Sequence, residues 1–144
     1  MKAKPYILAA VLVALNLAGC AASGPTYREY SANIPAIPSD SGRIYLYRMT
    51  MFGGAIQPEI RINGDVVGKA VPKGFFFVDR PAGNYEISLS TEAKRSLTFN
   101  LEAGQEKYVR LEAKMGAFVA HIKPVLVDNF DGKSEITKTK YIVQ

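Results

Sequence analysis

From Arg43 onward, apolar and polar positions alternate with a period of two, which is the period of a half-buried strand. "EIRINGDVVGKAV" shows it most clearly: Ile60 and Ile62 point one way and Glu59 and Arg61 the other. Asn63-Gly64 then marks a tight hairpin, because a type I′ turn needs positive φ at both central residues. "RIYLYR" (43–48) is apolar on both faces and suits a strand inside a sheet. "GFFFVD" (74–79) is a short strand. "RPAGNYEISLS" opens on a proline-glycine turn, and then Tyr85, Ile87 and Leu89 alternate with Glu86, Ser88 and Ser90. "RSLTFNLEAGQEKYVRLEA" predicts a hairpin about Ala103-Gly104-Gln105, and "GAFVAHIKPVLV" (116–127) a last long strand. Pro124 has no amide proton, so that strand belongs at an edge or carries a bulge.

No long 3.6-residue period is present, and the tail admits one short helix over 129–139. About seven strands at spacings of roughly 8–12 residues predict an all-β protein, an antiparallel β-sandwich over 43–144. Roughly a hundred residues suffice for one modest core.

The N-terminus follows other rules. Lys2 and Lys4 precede "YILAAVLVALNL", twelve residues that are apolar except for Asn16. A spanning helix needs about 20 such residues, whereas a basic start, a short apolar run and small residues form the secretory pattern. Leu17-Ala18-Gly19-Cys20 resembles the lipobox of bacterial lipoproteins at all four positions. The resemblance implies a signal peptide over 1–19, cleaved after Gly19. It also implies a diacylglyceryl thioether on Cys20, usually with a further acyl chain on the new amino group. Two or more acyl chains anchor stably where one binds marginally, at roughly 0.8 kcal/mol per buried CH₂. Ala21, rather than aspartate, after the cysteine implies outer-membrane sorting in a two-membrane cell, facing the periplasm. The alternatives are an ordinary signal peptide with a chance cysteine and an uncleaved anchor. Residues 20–42, with Pro25, Pro35 and Pro38 and no period, predict a flexible linker. Ile34 and Ile37 are placed to pack on the domain, and Tyr27 and Tyr30 read as incidental aromatics, with partner contact as the alternative.

Charge and cysteine usage narrow the classes. The formal charge is +5; without Lys2 and Lys4, sixteen bases face thirteen acids, a charge of +3. Bases and acids alternate, which describes a solvated surface and not a nucleic-acid footprint. A single cysteine forms no internal disulfide, and with a single histidine, His121, it builds no Cys/His zinc site.

Chemistry is sparse. His121 lies mid-strand, and no nucleophile-elbow, zincin or Walker pattern supplies it with partners. "GDVVGK" lacks phosphate-loop spacing, since Ala70 follows Lys69. Asp128, Asn129, Asp131 and Gly132 lack the closing glutamate of a calcium loop and read as a turn. The expectation is no enzyme, no metal and no cofactor.

Two apolar stretches offer a contact surface: "MTMFGGA" (49–55), which looks like a loop, and "GFFFV" (74–78). Met51, Phe52 and Phe76 are the candidates for an exposed patch that docks a partner or dips into lipid headgroups, against a core role for the same side chains.

The run "IRINGDVVGKAVPKGFFFVDRPAGNYEISLS" with "LTFNLEAGQEKYVRLE" is similar to PEGA-like surface domains. The whole stretch from Arg43 to about Tyr141 resembles a family of small bacterial lipoproteins with a domain of unknown function. The shared pieces are "GRIYLYR", "INGDVVG", "PAGNYEI", "AGQEKYVRL" and "LVDNFDGKSEI". The resemblance implies a prealbumin- or immunoglobulin-like sandwich in the envelope and brings no catalytic residues. The function these features favour is a lipid-anchored, non-catalytic module that binds an envelope protein or glycan. The alternatives are an assembly or structural factor of a secretion or surface system, working through an exposed edge such as the Pro124 or the Arg43 strand, and a cell-wall hydrolase.

Overall fold

The structure, a computed structural model, describes residues 20–143. The signal-peptide reading, with Leu17, Ala18 and Gly19, falls outside the described residues.

Asn63 and Gly64 take φ of 49° and 91° and close the hairpin between β2 (Glu59–Ile62) and β3 (Asp65–Lys69). β2 buries Ile60 and Ile62 and exposes Glu59 and Arg61, as its alternation requires. On its other side β2 pairs with β5 (Gly83–Ser90), and β5 with β6 (Lys94–Leu101), giving a four-stranded antiparallel sheet in the order β3-β2-β5-β6.

The second sheet is built on β1 (Ser41–Tyr47), which is buried at every position. Its order is β8-β7-β1-β4-β9, with β4 (Gly74–Pro81), β7 (Glu106–Met115), β8 (Ala120–Val127) and β9 (Lys140–Tyr141). Here β1 runs parallel to β7, and β4 to the two-residue β9. The Arg43 strand is therefore the middle of its sheet and offers no edge. β8, which holds Pro124, is an edge strand, where a residue without an amide proton is tolerated.

Ile44, Leu46, Phe76, Val109, Leu111 and Ile122 of this sheet meet Ile60, Ile62, Ile87 and Leu89 of the other in one core. Phe76 is 2% exposed there. It therefore lies outside any surface patch with Met51 and Phe52: in "GFFFV" the alternation turns Phe76 toward the facing sheet and Phe75 away from it. Burying each such side chain stabilises by about 1.5–3 kcal/mol.

The outer face of the five-stranded sheet is aromatic. Tyr45, Tyr47, Phe75 and Tyr108 pack with Ile136 into a second cluster. Two pieces of chain cover it. One is helix α2 (Asn129–Ile136), whose Asp128 N-cap accepts from the amides of Phe130 and Asp131. The residues read as a turn thus start a helix, and those amides hold the Asp128 carboxyl below the usual range. Gly132 lies so close over Tyr108 that a Cβ would fall 2.3 Å from its Cγ.

The other cover is the N-terminal segment, with the short helix α1 (Tyr27–Tyr30) capped by a reciprocal Thr26–Glu29 box. Tyr27, Tyr30 and Ile34 join the aromatic cluster. The amide of Tyr27 donates to Thr139 O, that of Tyr141 to Pro25 O and that of Ala22 to Pro72 O. Residues 20–34 are thus part of the domain's packing, where composition alone predicts a free tether. Its two tyrosines supply the apolar area that docks it.

Candidate functional site

The strand directions place the 49–58 loop, the 70–73 turn, the 91–93 turn and the 116–119 turn together at one end of the sandwich. The organiser of this end is Arg48, directly after β1 and fully buried. Its Nη1 donates to the carbonyls of Ile56 and Ala70, each at 2.8 Å. Its Nη2 donates to those of Phe52 at 2.6 Å and Gly53 at 3.0 Å. The fork of donors on a guanidinium suits such a set of converging carbonyls. Nε is left without a partner, and burial pulls the group below the ordinary arginine pKa.

The 49–58 loop therefore wraps a buried cation. Gly53, at φ 66°, lets it approach β8 so closely that a Cβ would meet that of Ala120 at 2.6 Å. With the backbone so held, Met51 and Phe52 stand 44% and 45% exposed.

The same loop holds Cys20. The Gln57 side-chain amide donates to Cys20 O and to Gly54 O, both at 3.1 Å. Cys20 is half-buried and unpaired.

On the loop's other flank, Glu92 clamps the β7–β8 turn. Its Oε1 accepts from the amides of Phe118 (3.3 Å) and Val119 (2.9 Å). Its Oε2 lies 3.3 Å from His121 Nε2, whose Nδ1 is 3.2 Å from Thr91 Oγ1. An imidazole between a hydroxyl and a carboxylate was not legible in the sequence, because Thr91 and Glu92 arrive from another sheet. The geometry gives Glu92 a holding role, since one oxygen is occupied by two amides. The turn presents Met115, Phe118 and Val119, of which Phe118 is 93% exposed. Sequence reasoning missed Phe118 and Val119 because 116–127 reads as one strand. β8 begins only at Ala120, and Gly116 was the available signal for a turn. A shallow groove of about 360 Å³ runs between this turn and the loop, past Ile56, Gln57, Glu92 and Val119.

The charged groups of the outer face fasten its layers. Arg43 makes a two-pronged pair with Asp79 at 2.7 and 2.8 Å and lies 4.4 Å over the Phe77 ring. Arg110 bridges Glu112 (2.7 Å) and Glu135 of α2 (2.6 Å), and Glu135 also accepts from Tyr47. The Arg110 hydrogen bond holds the Glu112 carboxyl below the usual range. Among the described residues, no group of three His, Cys, Asp or Glu side chains is arranged to hold a metal ion, and no helix is long and apolar enough to cross a membrane.

These features define an open two-sheet β-sandwich with an aromatic outer face, a covering helix and one end bearing exposed apolar turns. Residues 38–125 match the family described as "Protein of unknown function (DUF2846)", and the chain belongs to that family. The match spans the two sheets from before β1 into β8 and stops short of α2. An uncharacterized protein of Haemophilus influenzae is 30% identical over 136 residues, covering 91% of this chain and 80% of that protein.

Proposed function

We propose that this protein is a bacterial envelope lipoprotein, anchored through acyl chains on Cys20 and acting as a non-catalytic interaction module. The observation that carries the reading is the Leu17-Ala18-Gly19-Cys20 motif at the end of a basic-then-apolar leader, with the only cysteine of the chain at the acceptor position. The half-buried, unpaired state of Cys20 accords with a sulfur used for modification rather than for a disulfide. The turn pattern at Asn63-Gly64 and Pro81-Ala82-Gly83 supports a PEGA-like module. Outer-membrane placement facing the periplasm rests on Ala21. The partner is an envelope protein or glycan, and the exposed turn that carries Met51 and Phe52 meets either that partner or the lipid headgroups.

The test is metabolic labelling with an alkyne fatty acid, followed by intact-mass analysis of the mature chain. Wild type is expected to begin at Cys20 and to carry the label, and Cys20→Ser to lose both label and membrane association. An unlabelled wild-type chain that fractionates as soluble overturns the reading.

A further inference from the structure

The anchor and the exposed apolar turns occupy the same end of the molecule, and no slack chain separates them. Gln57 holds the carbonyl of Cys20 at 3.1 Å, and the Ala22 amide is bonded to Pro72 O at 2.9 Å. An extended tether over residues 20–41 would let the domain stand up to roughly 70 Å from its anchor, at about 3.3 Å per residue. Here residues 20–34 of that segment are docked on the domain instead, with Tyr27, Tyr30 and Ile34 on its aromatic face. Acyl chains on Cys20 would leave the domain directly at its surface, beside the 49–58 loop.

The same end displays Met51, Phe52, Met115, Phe118 and Val119. Aromatic and flexible apolar side chains on a turn are suited to the headgroup–acyl boundary. The charge arrangement agrees. Exposed Lys69, Lys73 and Lys114 lie around this end, whereas Asp40, Asp65 and Glu102 lie in or beside the turns at the other. Of the acids at the near end, Glu59 is paired with Arg61, and Glu92 is engaged with two amides and His121.

We propose that this end of the sandwich is a membrane-seating face: Phe52 and Phe118, flanked by Met51 and Met115, insert into the bilayer surface that receives the Cys20 acyl chains, so that the domain lies on the membrane in one orientation. The inference rests on the lipoprotein reading and adds to it where the domain sits and which residues it presents away from the lipid.

The chain contains no tryptophan, so one introduced indole reports on its own site. The full chain is produced in a lipoprotein-processing bacterium as Phe52→Trp, Phe118→Trp or Phe130→Trp. The last is the control, because Phe130 is 83% exposed at the opposite end, where β8 passes into α2. Each mature protein is weighed intact and reconstituted into phosphatidylcholine–phosphatidylglycerol vesicles with and without brominated acyl chains. All three sites are surface positions, and circular dichroism checks the fold.

The expected result is blue-shifted emission and strong loss of intensity with brominated lipid for Phe52→Trp and Phe118→Trp, and neither change for Phe130→Trp. If the protein is acylated and vesicle-bound but all three indoles stay unquenched, the seating inference is overturned while the anchor reading stands, and the apolar end is left for a protein partner. If the intact mass shows no acyl group on Cys20, both fall together.

Discussion

The ring of Tyr30 stacks on that of Tyr141, with centroids 3.8 Å apart and planes 11° from parallel. These residues come from opposite ends of the described chain, so one aromatic pair closes the N-terminal segment over the tail. The neighbouring Tyr30 hydroxyl and burial push the Tyr141 hydroxyl up to about 12. A double-mutant cycle with Tyr30→Phe, Tyr30→Ala and Tyr141→Ala, followed by urea unfolding, should return a coupling of about 1 kcal/mol. The amides of Ala22, Tyr27 and Tyr30, which are bonded to Pro72 O, Thr139 O and Thr26 O, should be protected from hydrogen exchange in wild type and exposed in Tyr30→Ala. Zero coupling with unprotected amides would make the segment the free linker that its composition suggests.

Arg48 is the residue whose loss should disorganise the loop end. Arg48→Met leaves the carbonyls of Ile56, Ala70, Phe52 and Gly53 without their donor. A loss of about 3 kcal/mol or more is expected. Arg48→Lys keeps the charge but has neither the fork nor its reach, and should fall between the two. Urea midpoints of the three proteins check the order.

Gly132 tests the fit of α2. An alanine there gains about 1 kcal/mol of helix propensity. Its Cβ, however, would stand 2.3 Å from Cγ and 2.5 Å from Cβ of Tyr108. Those atoms are the stem of a buried ring and cannot swing aside, so overpacking of about 1–3 kcal/mol wins. Gly132→Ala should melt lower than wild type; a higher melting temperature would mean that α2 shifts freely.

Phe76 and Phe52 should behave oppositely, although both come from apolar stretches that resemble contact surfaces. Phe76→Ala opens a cavity between the sheets and should cost about 3–5 kcal/mol. Phe52→Ser changes a half-exposed loop side chain and should stay within about 0.5 kcal/mol. Paired thermal melts give the comparison, and equal losses would place Phe52 in the core as well.

Alkali should unfold the protein through its buried phenols. Burial, the leading cause in each case, raises Tyr45, Tyr47 and Tyr108 well above the ordinary tyrosine value. The unfolded chain releases these protons near pH 10 while the folded chain keeps them, so the unfolded state binds fewer protons and stability falls as pH rises. The contribution is complete below about pH 10, and above it each tyrosine removes up to about 1.4 kcal/mol per pH unit. Glu112 acts in the opposite sense: its depressed folded value makes its contribution present above the unfolded carboxylate value and lost as pH falls through the folded one. Urea melts across the alkaline range, with phenolate absorbance followed in parallel, check the first claim. Unchanged stability there would show that the rings are reached by water.

Much of the sandwich was legible because a strand writes its burial into every second residue. Ile60 and Ile62, Ile87 and Leu89, and the Asn63-Gly64 turn all took their expected places. Strand order was not legible, since pairing between β1 and β7 depends on which neighbour fills the sheet. The apolar residues on both faces of β1 placed it inside a sheet but did not say that α2 and the N-terminal segment share the cover of its outer face.

The candidate site was less legible. Met51 and Phe52 were readable as loop apolar residues, whereas Phe76 was ambiguous until the sheet turned it inward. Phe118 was hidden inside an apparent strand. Arg48 looked like an ordinary strand-end cation, and its four carbonyl partners lie up to 22 residues away.

Sequence alone determined the leader pattern, the single cysteine and the two-residue alternation that commits the chain to sheets, because targeting signals and periodicity are local properties. Tertiary structure alone decided that the 20–34 segment is docked, that Phe76 is core and that Cys20, Met51, Phe52 and Phe118 share one end. Those relations arise from packing between residues far apart in the chain, and no local pattern encodes which distant surfaces will meet.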